Sequence, residues 1–146
     1  MKLEELYELW AKDGEIDQIN ISNESANIPK LHNKYYMLYV QEGLKLKKIR
    51  ADYKKLKGLR EEWYLGELAQ EDLRELGWEP FLGRKPLKTE LNSKLECDET
   101  LINMSLKIGL QESIVEYLES IIRQINNRGF QLKTIVDWER FRTGAM

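Results

Sequence analysis

The sequence predicts an all-α fold in which two long helices are accompanied by short helices near the N- and C-terminal ends. Apolar residues recur every three or four positions over most of the 146 residues, which is the spacing of a helix face. Nine glycines and three prolines are too few for the turns of an all-β fold. A chain of this length buries about 68–70% of its unfolded surface, so we expect a single domain over residues 1–146.

The first predicted element is a short amphipathic helix over residues 1–12. Asp13 and Gly14 end it, and a polar connector rich in asparagine and serine follows. Its apolar residues lie at i, i+3, i+4 and i+7, the pattern of one helix face: Leu3, Leu6, Tyr7 and Trp10.

A long helix is predicted over residues 28–65, because a heptad-like seam continues there for about four heptads. Pro29 falls in the first turn, where its missing N–H is tolerated. Two seam positions hold the charged residues Glu42 and Arg60, and Gly66 ends the helix. The remaining seam positions are Tyr35, Tyr39, Leu46, Ile49, Tyr53, Leu56 and Trp63.

Residues 66–97 are predicted to form a loop with short helices, because two prolines exclude one regular helix across them. A second long helix follows over residues 98–127, with Asp98 or Thr100 as its cap. Its apolar residues form two rows, so we expect it to be covered on more than one side. The second row is Ile102, Leu106, Leu110, Ile114, Tyr117 and Ile121.

The last predicted helix covers residues 131–143 and is closed by Gly144. The sequence Asn127-Arg-Gly-Phe before it is typical of a helix end. Gly129 is expected there in the left-handed conformation, with Phe130 making the hydrophobic contact beyond the end.

The residue inventory excludes several kinds of site. One cysteine, Cys97, excludes an internal disulfide framework, and one histidine, His32, excludes the usual Cys/His metal sites. No G-x-x-x-x-G-K-S/T loop occurs, and the carboxylates lie in contexts typical of solvated faces. We therefore predict no catalytic residue, no metal, no cofactor and no enzymatic activity.

Targeting signals are also absent from the sequence. The first ten residues hold three glutamates and no apolar run, so no signal peptide is expected. No stretch approaches the roughly 20 apolar residues of a membrane span. The sequence predicts a soluble protein of a reducing compartment.

Charge is strongly segregated along the chain. Residues 30–60 carry ten basic and two acidic groups, a local charge of +8 in a chain of net charge −2. Residues 1–29 and 61–83 carry −5 and −6. A local excess of this size indicates an anionic partner.

Four of these cations share one face of the first long helix and are called the cationic row: Lys47, Arg50, Lys54 and Lys57. At 100° per residue they fall within about 80° of one another. Arg60 projects near the centre of the apolar arc. Each phosphate that such a row neutralises releases counterions, and neighbouring aromatic rings offer stacking faces to bases. The cationic row and Arg60 are therefore the predicted nucleic-acid contacts.

A second interpretation is that these cations form a solvated face. Their acidic partners would then come from residues 61–83 or from another subunit. Tyr53 and Trp63 lie on the seam, which taken singly favours a core role for both. Arg60 has two interpretations that do not exclude each other. One is that it sets helix register or oligomeric state through a buried ion pair, and the other is that it binds phosphate in a groove between subunits.

Parts of the sequence resemble a known family. Residues 127–144, Asn-Arg-Gly-Phe-Gln-Leu-Lys-Thr-Ile-Val-Asp-Trp-Glu-Arg-Phe-Arg-Thr-Gly, resemble the C-terminal signature of the UvsY family, the recombination mediators of large tailed phages. The opening Met-Lys-Leu-Glu-Glu-Leu and the Leu-Arg-Glu-Glu-Trp-Tyr-Leu-Gly of residues 59–66 match the same pattern in the same order.

The resemblance implies an accessory protein without enzymatic activity that acts in the cytoplasm of an infected bacterial host. Such proteins bind single-stranded DNA and help the phage recombinase to displace the single-strand-binding protein. A DNA-binding lysine and arginine of the family lie two positions apart in the long helix. Arg60 matches that arginine, whereas Gly58 occupies the lysine position and Lys57 lies beside it.

The resemblance also implies a ring-like homo-oligomer, a hexamer or heptamer, to which the C-terminal region contributes. Independently, a long seam and a broad apolar face leave more apolar surface than a 146-residue monomer covers. The predicted oligomerisation residues are Leu118, Ile122, Ile125, Phe130, Ile135, Trp138 and Phe141.

The predicted function is therefore that of a single-stranded-DNA-binding recombination mediator. The alternative is a structural helical oligomerisation protein with no nucleic-acid role. A membrane-surface helix is a third class, which the mixed Tyr/Lys seam disfavours.

Overall fold

The computed structural model describes residues 1–144, and over this range it contains helices and no strand. The predicted all-α class with two long helices is confirmed. Within residues 1–144 the helices are α1 (Leu3–Asp13), α2 (Ile21–Ala26), α3 (Ile28–Leu65), α4 (Gln70–Leu76), α5 (Lys88–Glu96), α6 (Glu99–Asn126) and α7 (Arg128–Thr143).

The chain divides into two compact units, and unit 1 consists of residues 1–45 with the chain from Gln111 onward. Its core draws one residue from α1, one from α3 and four from the apolar rows of α6, all at most 3% exposed. Burial of each such aliphatic side chain stabilises the fold by about 1.5–3 kcal/mol. The core residues are Leu6, Tyr35, Ile114, Leu118, Ile121 and Ile125.

Hydrogen bonds tie the end of α1 to α3 inside unit 1. The Tyr35 hydroxyl donates to Asp13 Oδ2 at 2.8 Å, and Lys34 Nζ donates to the same oxygen at 2.6 Å. Burial opposes ionisation of Asp13, but the hydrogen bonds from Lys34 and Tyr35 outweigh it and lower the pKa of this carboxyl. The polar end of a core tyrosine is thus satisfied.

Glu42 occupies a seam position of α3 and is only 2% exposed. The Gln111 side-chain amide donates to Glu42 Oε2 at 2.7 Å and to the Glu42 carbonyl at 2.9 Å, and Lys45 Nζ lies 3.1 Å from Oε1. Burial opposes ionisation of Glu42, but the hydrogen bonds from Gln111 and Lys45 outweigh it and lower its pKa. This charged seam position is therefore satisfied within the subunit.

The junction of α6 and α7 differs from the sequence prediction. Gly129 lies inside α7, and the described residues with positive φ are Gly66, Gly77 and Gly144. The prediction of a left-handed Gly129 is therefore wrong. Phe130 is 75% exposed and makes no buried contact beyond a helix end.

The physical reason for this difference is Arg128 at the start of α7, which is 4% exposed. Its guanidinium donates to the Glu15 carbonyl at 2.9 Å and to Glu24 Oε2 at 3.0 Å. A buried arginine whose donors are hydrogen-bonded fixes the backbone around it. Arg128 therefore holds the first turn of α7 in place, so Gly129 lies within the helix.

Unit 2 consists of Leu46–Leu110 and contains the second half of α3, the helices α4 and α5, and the first part of α6. Leu46, Leu95 and Leu101 are its buried aliphatic residues. Gly66 ends α3 with a φ of 69°, a conformation that glycine adopts without steric cost. This unit holds the cationic row.

The Gln111–Glu42 hydrogen bonds predict a specific loss of stability. Gln111→Ala removes a donor from a buried carboxylate, which should lower the free energy of unfolding by about 1–3 kcal/mol. The control Gln124→Ala, at an exposed position of the same helix, should change it by less than about 0.5 kcal/mol. Urea unfolding followed by circular dichroism measures both, and equal stability of the two variants would contradict the proposed role of Gln111.

Candidate nucleic-acid interface

The cationic row lies on the part of α3 that belongs to unit 2, and all four of its side chains are exposed. Lys57 lies ten positions after Lys47, so the row is about 15 Å long at 1.5 Å per residue. Glycine at position 58 adds no side chain beyond the row. The structure thus brings four of the five predicted contacts together on one solvent-facing surface.

The three lysines of the row have no carboxylate partner in the part of the chain that the structure describes. Among residues 1–144, no carboxylate lies within ion-pair distance of Lys47, Lys54 or Lys57. The acidic segment of residues 61–83 therefore does not neutralise these lysines within the subunit. Their ammonium groups are available to an external anion.

Arg60 lies apart from the row and is enclosed by other side chains. Its side chain is 13% exposed, and Nε donates to Asp98 Oδ2 at 2.7 Å. The guanidinium carbon lies 4.0 Å from the Trp63 ring centroid and 4.9 Å from that of Trp78. Position 60 falls on the apolar arc of α3, which explains why this cation is turned away from solvent.

Asp98 is the carboxylate on which this arrangement converges. It accepts a hydrogen bond from the backbone N–H of Leu101 at 3.1 Å and from the Tyr64 hydroxyl at 2.8 Å. Of the two predicted cap residues, Asp98 and Thr100, it is therefore Asp98 that caps α6. Burial opposes ionisation of Asp98, but the hydrogen bonds from Tyr64, Arg60 and Leu101 outweigh it and lower its pKa. Asp98 is therefore ionised, and its negative charge binds the Arg60 guanidinium.

An aromatic cluster surrounds this ion pair and includes residues to which the sequence analysis gave no role. The ring centroids of Trp63 and Tyr64, both on α3, lie 5.0 and 5.1 Å from the ring centroid of Phe81. The Trp63 indole N–H donates to the Glu79 carbonyl at 2.6 Å. Trp78 and Phe81 lie in a stretch dense in glycine and proline. Two large aromatic residues in such a loop indicate that it packs against a helix, and this was the feature from which the contact could have been predicted.

The predicted oligomerisation residues fall into two groups. Leu118 and Ile125 are 0% and 1% exposed in the core of unit 1, and Ile122 and Ile135 are half-buried. By contrast, Phe130, Trp138 and Phe141 are 75%, 61% and 77% exposed. The exposed group shares one face of α7, and the Trp138 and Phe141 rings stack at 5.7 Å.

The second apolar row of α6 is also uncovered within unit 2. Ile102, Leu106 and Leu110 recur at four-residue intervals and are 42–68% exposed. A contiguous aliphatic stripe is typical of a protein-interaction surface.

Residues 1–144 contain neither a metal-binding cluster nor a membrane-spanning helix. Residues 1–144 hold no cluster of three or more histidine, cysteine, aspartate or glutamate side chains arranged to bind a metal ion. Within that range, no helix combines the length and apolar character needed to cross a membrane.

Comparison with known proteins identifies relatives over nearly the whole chain. A family profile described as "Recombination, repair and ssDNA binding protein UvsY" matches residues 9–145. The recombination protein uvsY of Enterobacteria phage T4 is 26% identical over 144 residues, covering 99% of each chain.

Solved structures agree on the fold. One crystal structure of the bacteriophage T4 recombination mediator protein UvsY, in lattice type IV, matches with a TM-score of 0.83 at 23% identity and covers 97% of this chain and 99% of that chain. A second, in lattice type II, matches with a TM-score of 0.82 at 23% identity and covers 98% of each.

The enclosure of Arg60 predicts that its loss destabilises the fold. Arg60→Ala leaves Asp98 without its cation and should lower the free energy of unfolding by about 3 kcal/mol. Lys57→Ala, one turn earlier on the exposed row, should lower it by less than about 0.5 kcal/mol. Urea unfolding measures both variants. If Arg60→Ala keeps wild-type stability and yet loses DNA binding, Arg60 is a direct DNA contact.

Proposed function

This chain belongs to the UvsY family of recombination, repair and single-stranded-DNA-binding proteins, and from that membership we propose that it is a non-enzymatic recombination mediator. It binds single-stranded DNA and helps a phage recombinase to assemble on DNA that is covered by single-strand-binding protein. It acts in the cytoplasm of the infected bacterial host.

The observation that carries this proposal is the exposed cationic row on α3. Lys47, Lys54 and Lys57 have no carboxylate partner among residues 1–144. Cations that share one face of a helix repel one another, which destabilises the helix, and a bound polyanion relieves this repulsion. Phosphate contacts of this kind carry no sequence information, which suits a protein that must act on any single strand.

Arg60 has a different role in this proposal from that of the row. Its guanidinium already donates to Asp98 and contacts two indoles, so a phosphate would have to displace an existing partner. We assign Lys47, Arg50, Lys54 and Lys57 to the phosphates. Arg60 is a positioning residue that holds the end of α3.

Assembly multiplies the effect of one short row. A row of four cations binds a strand weakly, but several copies in a ring combine their affinities through a high effective concentration. The exposed faces of α6 and α7 support association of subunits. We propose a hexamer or heptamer in which Phe130, Trp138 and Phe141 form subunit contacts.

The mediator role follows from the way in which such a ring binds single-stranded DNA. Electrostatic capture binds the backbone without reading bases, so the protein can take hold of segments released by the single-strand-binding protein. The acidic segments of residues 1–29 and 61–83 repel DNA from other faces. The strand is thereby presented to the recombinase from the cationic rows.

The cationic row predicts a salt-dependent loss of binding on mutation. Lys54→Ala/Lys57→Ala should remain assembled, bind oligo-dT more weakly, and have a log–log salt slope shallower by about 1.4, since each phosphate contact on a single strand contributes about 0.7. Fluorescence anisotropy titrations at several salt concentrations measure the slope.

Lys107→Ala/Lys133→Ala is the matched control, because it removes the same charge from exposed positions of α6 and α7. Its salt slope should equal that of the wild type. If the wild type ignores oligo-dT at low salt and Lys54→Ala/Lys57→Ala falls to smaller species, the protein is a structural oligomerisation protein instead.

The exposed aromatic face of α7 predicts an assembly defect. Phe130→Ser/Phe141→Ser should abolish the ring-sized species in native mass spectrometry while keeping the helical circular dichroism signal, because both side chains are more than 70% exposed. Lys133→Ser/Arg140→Ser, at exposed positions on the flank of the same helix away from Trp138, should leave the assembly intact. Unchanged mass of the first variant would exclude this face from the subunit contact.

A further inference from the structure

Two adjoining clefts lie in unit 2, where α4 and the loop after it pack against the end of α3. Their volumes are about 370 Å³ and about 240 Å³, and Leu73 and Pro80 line both. Together they are called the α4 groove. Its apolar lining residues are Trp63, Leu68, Leu73, Trp78, Pro80 and Phe81.

The apolar lining of the groove is accessible from solvent. Pro80 is exposed, and Leu68, Leu73 and Phe81 are half-buried, so a partner can reach part of each side chain. Leu82, which directly follows Phe81, is 94% exposed. Because Leu73 and Pro80 line both clefts, one layer of side chains separates them. The groove therefore offers two neighbouring sites for apolar side chains of a partner.

Carboxylates form the rim of the groove. Glu79 lines the larger cleft, and Glu67 directly precedes Leu68 of the smaller one. Both are exposed, and in the part of the chain that the structure describes neither makes an ion pair or a side-chain hydrogen bond. Arg74, which lines the larger cleft, is the one basic residue among residues 61–83, whose net charge is −6. The other exposed carboxylates of α4 are Glu71, Asp72 and Glu75.

We propose that the α4 groove binds a cationic amphipathic helix of a partner protein, an inference that goes beyond DNA binding and does not depend on it. Apolar side chains one turn apart on a helix have Cβ atoms about 5–6 Å apart, which suits two clefts separated by one layer of side chains. Lysine or arginine side chains beside these anchors lie against the unpaired carboxylates of the rim. A nucleic acid does not fit here, because the same carboxylates repel phosphates.

A helix of a second copy fits the groove less well than a helix of a different protein. The exposed rings of α7, Trp138 and Phe141, stack on each other at 5.7 Å and form one surface rather than two separate anchors. The residues on both sides of Trp138 in sequence are acidic, so they would bring negative charge toward the rim. On α3, the one exposed apolar residue between positions 47 and 57 is Ala51, whose methyl group does not fill a cleft.

The test measures binding of a fluorescently labelled helical peptide made of leucine and lysine, with the leucines on one face, by fluorescence anisotropy at neutral pH. Glu67→Gln/Glu79→Gln removes two rim carboxylates and should weaken binding by about threefold or more, since each exposed ion pair contributes modestly. Glu4→Gln/Glu8→Gln is the matched control, because it removes the same charge from exposed positions of α1. It should bind the peptide as the wild type does. Equal affinities of the two variants overturn the proposal.

The apolar part of the groove is tested separately. Leu68→Ser should weaken peptide binding by about fivefold or more, because it removes an anchor contact. Ile19→Ser, at a position that is 98% exposed and outside the groove, should leave binding unchanged. Circular dichroism verifies that both variants are folded. A second peptide with serine in place of leucine should bind the wild type more weakly than the first, and equal binding of the two peptides overturns the proposal.

Native mass spectrometry of Glu67→Gln/Glu79→Gln distinguishes the two possible occupants. The variant should keep the wild-type assembly. Loss of assembly would show that the groove holds a second copy, which overturns its assignment to a different protein. Peptide binding is measured without DNA, so a wild type that binds the peptide but ignores oligo-dT at low salt supports the groove and overturns the proposed function alone.

Discussion

The carboxylate of Asp98 carries the connections on which unit 2 depends. One group caps α6 through the Leu101 N–H, accepts the Tyr64 hydroxyl, and pairs with Arg60 across 38 positions of sequence. A buried anion is tolerated only when donors surround it, and here three donors from two helices do so. Since the Arg60 guanidinium also contacts Trp63, the loop that packs on Trp63 is held by the same centre. The second half of α3 is thereby fixed, and the cationic row keeps its orientation to solvent.

Two enclosed arginines and the exposed lysines of the cationic row have different roles in this chain. Arg60 and Arg128 are enclosed within their own units. Arg60 donates to Asp98, and Arg128 donates to the Glu15 carbonyl and to Glu24. A planar guanidinium is weakly hydrated and matches carboxylates and carbonyls at fixed angles, so it suits buried positions. The lysines of the row are exposed point charges on flexible stems, which suits a ligand with an irregular backbone. A count of charges along the sequence does not distinguish these two roles, whereas the burial of each side chain in the structure does.

Helical periodicity is a local property, which is why the all-α class and its two long helices follow from the sequence. The Asp98 cap and the helix end at Gly66 follow for the same reason, since each depends on one residue and its neighbours. Partners distant in sequence are not available to such reasoning, so Asp98 as the anion for Arg60 was not foreseen. A wide apolar face likewise does not reveal which side the chain covers, and Leu118 turned out buried while Phe141 is exposed. Gly129 was misjudged because the buried Arg128 outweighs a local helix-end pattern.

The contact between Arg60 and the indoles of Trp63 and Trp78 has a spectroscopic consequence. Indole emission responds to nearby charge and to water, so these two fluorophores sense the state of unit 2 directly. Trp10 packs edge-on against Tyr35 in unit 1, and Trp138 lies on the exposed face of α7. The four tryptophans thus sit in three different surroundings. Replacing them by phenylalanine in turn would yield separate optical reporters for each unit and for the α7 surface, without attaching any foreign dye.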